Sequence, residues 1–67
     1  MTPKELLQDT YIRYLNTEDE KLIGLRYDRY NAIRAFARDC GLITMDDIQA
    51  METIALTEYE ESLKVPQ

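Results

Sequence analysis

Histidine and tryptophan are absent from this chain of 67 residues, and cysteine occurs once, as Cys40. Without histidine, the commonest general base near neutral pH is missing, and the histidine-dependent serine and cysteine nucleophiles cannot be built. Sulfur and imidazole metal sites cannot form either, and the acidic stretches lack the spacing of a calcium-binding loop. We therefore expect no enzyme, no cofactor and no metal site.

Long apolar runs are also absent, so the sequence predicts neither a signal peptide nor a membrane span. The lone Cys40 cannot close a disulfide within the chain, which favours a reducing compartment, and we expect a cytoplasmic protein. The chain is long enough for one domain, residues 1–67. Folding at this size removes only about 60% of the surface that the unfolded chain exposes, which favours a partner or self-association.

Three threonines each stand three positions before an acidic residue, at the head of a helix-like apolar pattern. They are Thr2, Thr17 and Thr44. Such a hydroxyl accepts a hydrogen bond from a free backbone N–H at the start of a helix, and a nearby carboxylate opposes the positive end of the helix dipole. The sequence thus predicts an all-α domain of three helices, at about 3–15, 18–40 and 45–63.

The predicted ends of the helices follow from turn residues. Asn16 is expected to end the first helix in a left-handed conformation, although one long bent helix through Thr17 is the alternative. Gly41 should end the second helix in the same conformation. Residues 65–67 should form a short tail.

Apolar spacing predicts which face of each helix is buried. The predicted core residues of the second helix are Leu22, Ile33, Phe36, Ala37 and Cys40, with Tyr30 at the margin. Those of the third helix are Ile48, Met51, Ala55, Leu56, Tyr59 and Leu63. The predicted apolar stripe of the first helix consists of Leu7, Tyr11 and Tyr14.

Charge is divided unevenly along an acidic chain, which has a formal net charge of −5. The second helix contains five basic residues and the third has six acids with no base before residue 64. The acidic third helix would be repelled by a phosphate backbone, so we expect no direct nucleic-acid binding. A DNA-binding accessory role through the basic second helix is the least favoured hypothesis.

Three charged residues, Arg26, Arg29 and Glu52, fall within predicted apolar arcs. An unpaired charge is costly to bury. One hypothesis is that Glu52 pairs with Arg26 or Arg29 across the helices and fixes their register. The other is that the arginine stems lie along the core while their charged ends reach water.

Several apolar residues lie away from the predicted core faces. Single exposed aliphatic residues are ordinary, but a group of them in so small a domain suggests a dimer interface or a partner-binding surface. We expect a small acidic protein that acts by binding another protein or a second copy of itself. The alternative is an acidic inhibitor whose third helix covers a basic, nucleic-acid-binding surface on its partner. The candidate partner-binding residues are Ile12, Leu25, Tyr27, Ile54, Glu58, Glu60 and Glu61.

Overall fold

The computed structural model describes residues 1–64, which form three helices and no strands. Helix α1 spans Pro3–Leu15, α2 spans Glu20–Asp39 and α3 spans Met45–Lys64. The predicted all-α, three-helix fold is confirmed, and α1 and α2 are separate helices rather than one bent helix. The predicted tail at residues 65–67 lies outside the described residues.

Threonine caps begin two of the three helices, as the sequence predicts. The hydroxyl of Thr2 accepts a hydrogen bond from the Glu5 backbone N–H at 3.1 Å and donates to the Glu5 carboxylate. At α3, the Thr44 hydroxyl accepts from the Asp47 backbone N–H at 3.1 Å. Because each cap satisfies an N–H that the helix itself leaves free, these two starts follow from local sequence alone.

The corner between α1 and α2 differs from the prediction. Asn16 is not left-handed, having φ −91° and ψ 6°, and its side-chain amide donates to the Ile12 carbonyl. The Thr17 hydroxyl donates backwards to the Arg13 carbonyl at 2.6 Å, so Thr17 closes α1 instead of opening α2. Asp19 caps α2 by accepting from the Lys21 N–H, and the helix begins two residues later than predicted.

Gly41 ends α2 with the left-handed backbone that was predicted, at φ 70°. The Leu42 N–H donates to the Ala37 carbonyl and the Gly41 N–H donates to the Arg38 carbonyl. This pair of bonds is the Schellman motif, which satisfies carbonyls at the helix end. The turn directs Ile43 into the core, where it is 6% exposed.

Helix α1 lies between the other two helices and packs against both, whereas α2 and α3 approach each other closely at few positions. The most deeply buried large side chains are Leu7 of α1, Tyr30 of α2 and Ile48 of α3. The full buried apolar cluster is Leu7, Tyr30, Ala37, Ile43, Ile48, Met51 and Ala55. With α1 in the centre, one side of α2 and one side of α3 face no other helix.

The buried face of α2 is not the predicted one. Tyr30, placed at the margin by the sequence, is 2% exposed, whereas Phe36 is 65% exposed and Cys40 is also exposed. The predicted and observed faces differ by a rotation of about 60° around the helix. On α3, Ile48, Met51 and Ala55 are buried as predicted, Tyr59 is half-buried, and Leu56 and Leu63 are exposed.

Substitution of the two glycines, Gly41 and Gly24, distinguishes how backbone conformation and helix propensity affect the free energy of unfolding. We expect Gly41→Ala to lower the free energy of unfolding by about 1–2 kcal/mol, because a Cβ is disfavoured at positive φ. Gly24→Ala, inside α2 with open space around the added Cβ, should raise it by about 0.5–1 kcal/mol. Urea unfolding followed by circular dichroism measures both. Equal effects of the two substitutions would contradict the assigned turn.

Candidate functional site

A surface groove of about 550 Å³ lies between α1 and the first half of α2. We call it the α1–α2 groove. Its lining combines aliphatic side chains with arginines: Met1, Leu6, Asp9, Thr10, Arg13, Leu22, Leu25, Arg26 and Arg29. It exists because α2 packs on α1 through Tyr30 and Ala37, which leaves the side of α2 around Leu25 uncovered.

The arginines of its lining make the groove basic, and we call Arg26 and Arg29 its basic rim. Arg13 forms an i,i+4 salt bridge with Asp9 at 3.0 Å, which offsets one positive charge. Arg26 is half-buried and Arg29 is exposed, and neither has an ion-pair partner within residues 1–64. A lining that combines exposed aliphatic side chains with two guanidinium groups that lack ion-pair partners favours a ligand that carries both apolar and negatively charged groups.

An exposed stripe continues from the groove along α2. Its residues are spaced by three, four, three and four positions: Leu22, Leu25, Arg29, Ala32 and Phe36. Leu25 and Phe36 are 66% and 65% exposed. This α2 stripe has the spacing of a helix–helix contact seam, with an arginine at its midpoint. The sequence contained this signal, but Leu22 and Phe36 were predicted to be core residues.

Four tyrosines connect α1 to α2. Ring centroids are 4.8 Å apart for Tyr11 and Tyr30, 6.1 Å for Tyr11 and Tyr14, and 5.2 Å for Tyr14 and Tyr27. These separations are typical of favourable aromatic pairs. Tyr27, a predicted partner-binding residue, is 46% exposed, but its ring is held against Tyr14. It therefore stabilises the α1–α2 contact and does not line the groove.

The predicted ion pair of Glu52 forms with a different arginine. The Arg34 Nε lies 3.7 Å from the Glu52 carboxylate, and both side chains are more than two-thirds buried. Arg34 Nη2 also approaches the Met45 sulfur at 3.6 Å. The same rotation of α2 that buries Tyr30 turns Arg34 towards α3 and turns Arg26 and Arg29 towards the groove. The pairing of Glu52 with Arg26 or Arg29 was therefore wrong.

Tyr30 lies beside this ion pair. Its hydroxyl is buried and has no hydrogen-bond partner within the described residues. Burial and the nearby negative charge of Glu52 raise the pKa of Tyr30 far above its usual value, because both disfavour the phenolate. The same two causes raise the pKa of Tyr11.

Besides Tyr27, the structure divides the predicted partner-binding residues into three groups. Ile12 was predicted to face a partner, but it is half-buried against the core, because α1 has α3 on that side as well as α2 on the other. Leu25 lies in the α1–α2 groove. Ile54 is 54% exposed, and Glu58, Glu60 and Glu61 are exposed on the same helix.

Around α3, these exposed residues do not all share one side. At about 100° per residue, Glu58 and Glu61 lie within about 40° of Ile54, and Glu60 lies about 120° away. We call Ile54, Glu58 and Glu61 the acidic face of α3. Within residues 1–64, none of its carboxylates forms a salt bridge.

Within residues 1–64, no helix combines the length and the apolar character needed to cross a bilayer. The same residues contain no group of three or more cysteine, aspartate or glutamate side chains placed to hold a metal ion.

Breaking the Arg34–Glu52 pair should destabilise the fold more than breaking an exposed pair. We expect Arg34→Ala to lower the free energy of unfolding by about 1–3 kcal/mol, because it leaves the Glu52 charge partly buried beside Tyr30. Arg38 pairs with Asp39 at the surface, so Arg38→Ala should change it by less than about 0.5 kcal/mol. Urea unfolding of both variants measures the difference, and similar losses would contradict the structural role of the pair.

Stability should fall in alkaline solution because of Tyr30. Its folded pKa is raised above the unfolded value near 10, so the folded state keeps a proton that the unfolded state releases. The contribution of protonated Tyr30 to the free energy of unfolding is present below pH 10 and is lost as the pH rises above this value. Urea midpoints measured across this range should decline less steeply in Tyr30→Phe. An identical decline in both proteins would contradict the assignment.

Comparisons of this chain with protein-family models, with curated proteins and with solved structures find no match. No relative therefore suggests an activity. The features available for interpreting function are the α1–α2 groove, the α2 stripe and the acidic face of α3.

Proposed function

We propose that this protein is a small, non-enzymatic interaction module that binds an acidic amphipathic helix in the α1–α2 groove. The supporting observation is the composition of the groove, in which Leu6, Leu22 and Leu25 are bordered by Arg26 and Arg29. Helix-in-groove recognition needs an apolar trough for side chains at helical spacing and a charged rim that orients the incoming helix. Both requirements are met without any catalytic group.

The acidic character of the partner follows from the position of Arg29. If two copies of α2 paired through their stripes in full register, parallel or antiparallel, Arg29 would lie opposite its own counterpart. Like charges placed opposite each other across an interface are repulsive. A partner helix with carboxylates at this position instead forms charge-assisted hydrogen bonds with Arg26 and Arg29. Their attraction also speeds association at low salt.

The acidic face of α3 supports a second candidate function. Of the six acids of α3, only Glu52 is in a salt bridge within the described residues, so the others remain available to a basic surface. An inhibitor that covers a basic, nucleic-acid-binding surface would use Glu58, Glu60 and Glu61. Charge reversal at these three positions would abolish that function and leave intact the binding of a separate acidic helix in the groove. A DNA-binding role has less support, because Arg34 and Arg38 are already paired with carboxylates.

The proposed setting is a reducing compartment such as the cytoplasm. Cys40 is exposed and is the single cysteine of the chain. In an oxidising compartment, an exposed lone thiol would form disulfides between molecules.

A synthetic peptide tests the proposed function directly. The probe is a helix-forming peptide of about 18 residues, with leucines at helical spacing on one face and glutamates on the other. We expect saturable binding, measured by fluorescence anisotropy, that weakens between about 50 and 500 mM salt because the rim contacts are screened. Leu25→Ser should weaken binding roughly tenfold or more, since the side chain would be buried by the peptide.

Leu63→Ser is the matched control. Leu63 is 67% exposed, nearly the same as Leu25 at 66%, but it lies on α3 and does not line the groove. It should leave the affinity unchanged. Equal loss of binding in the two variants, or no binding at protein concentrations at which the chain is monomeric, would contradict the groove as the site.

A further inference from the structure

We infer that the helix received by the α1–α2 groove is α3 of a second copy of this chain. This inference rests on the proposed function and names its partner. The two surfaces are the α1–α2 groove, with Arg26 and Arg29 at its rim, and the acidic face of α3 formed by Ile54, Glu58 and Glu61.

The acidic face of α3 has the composition that the groove requires. Ile54 is an exposed aliphatic residue, and Glu58 and Glu61 lie one and two turns further along the same side. When Ile54 packs against the leucines of the groove, these carboxylates lie near the basic rim. Ala50, one turn before Ile54, is exposed and small enough to allow close approach of the two helices.

Charge explains why the partner of the groove is α3 and not α2. The groove side of α2 presents Arg26 and Arg29, and two such sides repel each other. The acidic face of α3 presents two carboxylates to the same rim, which converts repulsion into attraction. The overall charge of −5 disfavours self-association in general, so the pairing depends on this local arrangement.

In the monomer, both surfaces expose apolar side chains to solvent. Only seven apolar side chains are buried in the described part of the chain, whereas Leu25 of the groove and Ile54 of the acidic face are both more than half exposed. A domain of this size gains stability from burying such surface against a second copy. The reciprocal use of α3 and the groove would cover surface on every helix of the pair.

The test is the solution mass, measured by sedimentation from about 1 µM to 1 mM, for the full chain and two matched variants. Glu61→Lys changes the acidic face, and Glu60→Lys makes the same substitution at the neighbouring residue, about 120° away from Ile54. We expect the unaltered protein and Glu60→Lys to dimerise with similar affinity. Glu61→Lys should weaken dimerisation at least about tenfold, because it places a positive charge against the basic rim.

A mixing experiment tests whether the surface that binds the acidic face of α3 is the α1–α2 groove. Arg29→Glu, at an exposed position, should also weaken dimerisation, and circular dichroism checks that each variant remains helical. When Arg29→Glu and Glu61→Lys are mixed, each reversed surface meets a complementary one on the other chain. The mixture should therefore form a heterodimer at concentrations at which each variant alone remains monomeric.

The outcomes separate this inference from the proposed function. A protein that stays monomeric up to about 1 mM overturns the inference, as does a dimer that Glu60→Lys and Glu61→Lys affect equally or a mixture without rescue. If the monomer still binds the acidic peptide through Leu25, the proposed function stands and the partner is another protein. If neither the peptide nor a second copy binds, both fail.

Discussion

The packing of α1 between α2 and α3 is the contact on which the rest of this structure depends. Leu7 of α1 is fully buried, and Tyr30 and Ile48 are the corresponding buried side chains of α2 and α3. Because α2 and α3 approach each other at few positions, removal of α1 would leave them without a shared core. The Arg34–Glu52 pair and the tyrosines that connect α1 to α2 then set how the outer helices are turned about their axes.

This arrangement has a consequence for the surface. A helix that packs on two sides uses more of its circumference, so Ile12 of α1 is covered although it lies off the main apolar stripe. The outer helices each pack mainly on one side, and their remaining apolar side chains reach solvent. Leu25 and Phe36 of α2 and Ile54 of α3 belong to this uncovered surface. This uncovered surface is the basis of the proposed binding of a partner.

On the outer helices, α2 and α3, charged residues lie beside the exposed apolar side chains. The charges allow the uncovered surface to select between partner helices. The exposed leucines of α2 lie beside Arg26 and Arg29, whereas the exposed Ile54 of α3 lies beside Glu58 and Glu61. Apolar contact alone would allow many partners, but a charged rim rejects a helix of the wrong sign. The proposed partner is therefore defined by two properties together, a helical apolar stripe and negative charge. Helix α3 of the chain itself combines an exposed aliphatic residue, Ile54, with negative charge at Glu58 and Glu61.

Local sequence was sufficient to predict the three helices, the caps at Thr2 and Thr44, and the left-handed turn at Gly41, because these features depend on residues within a few positions of one another. It also placed Ile54 away from the core face of α3 and Leu25 at the margin of the core face of α2, and both side chains are exposed. It did not predict the buried face of α2, the exposure of Phe36 and Cys40, or the pairing of Glu52 with Arg34. Apolar residues occur on more than one side of α2, so spacing permits several rotations about its axis. Only packing against α1 selects the rotation that buries Tyr30, and that single choice places Arg34 beside Glu52 and opens the groove around Leu25.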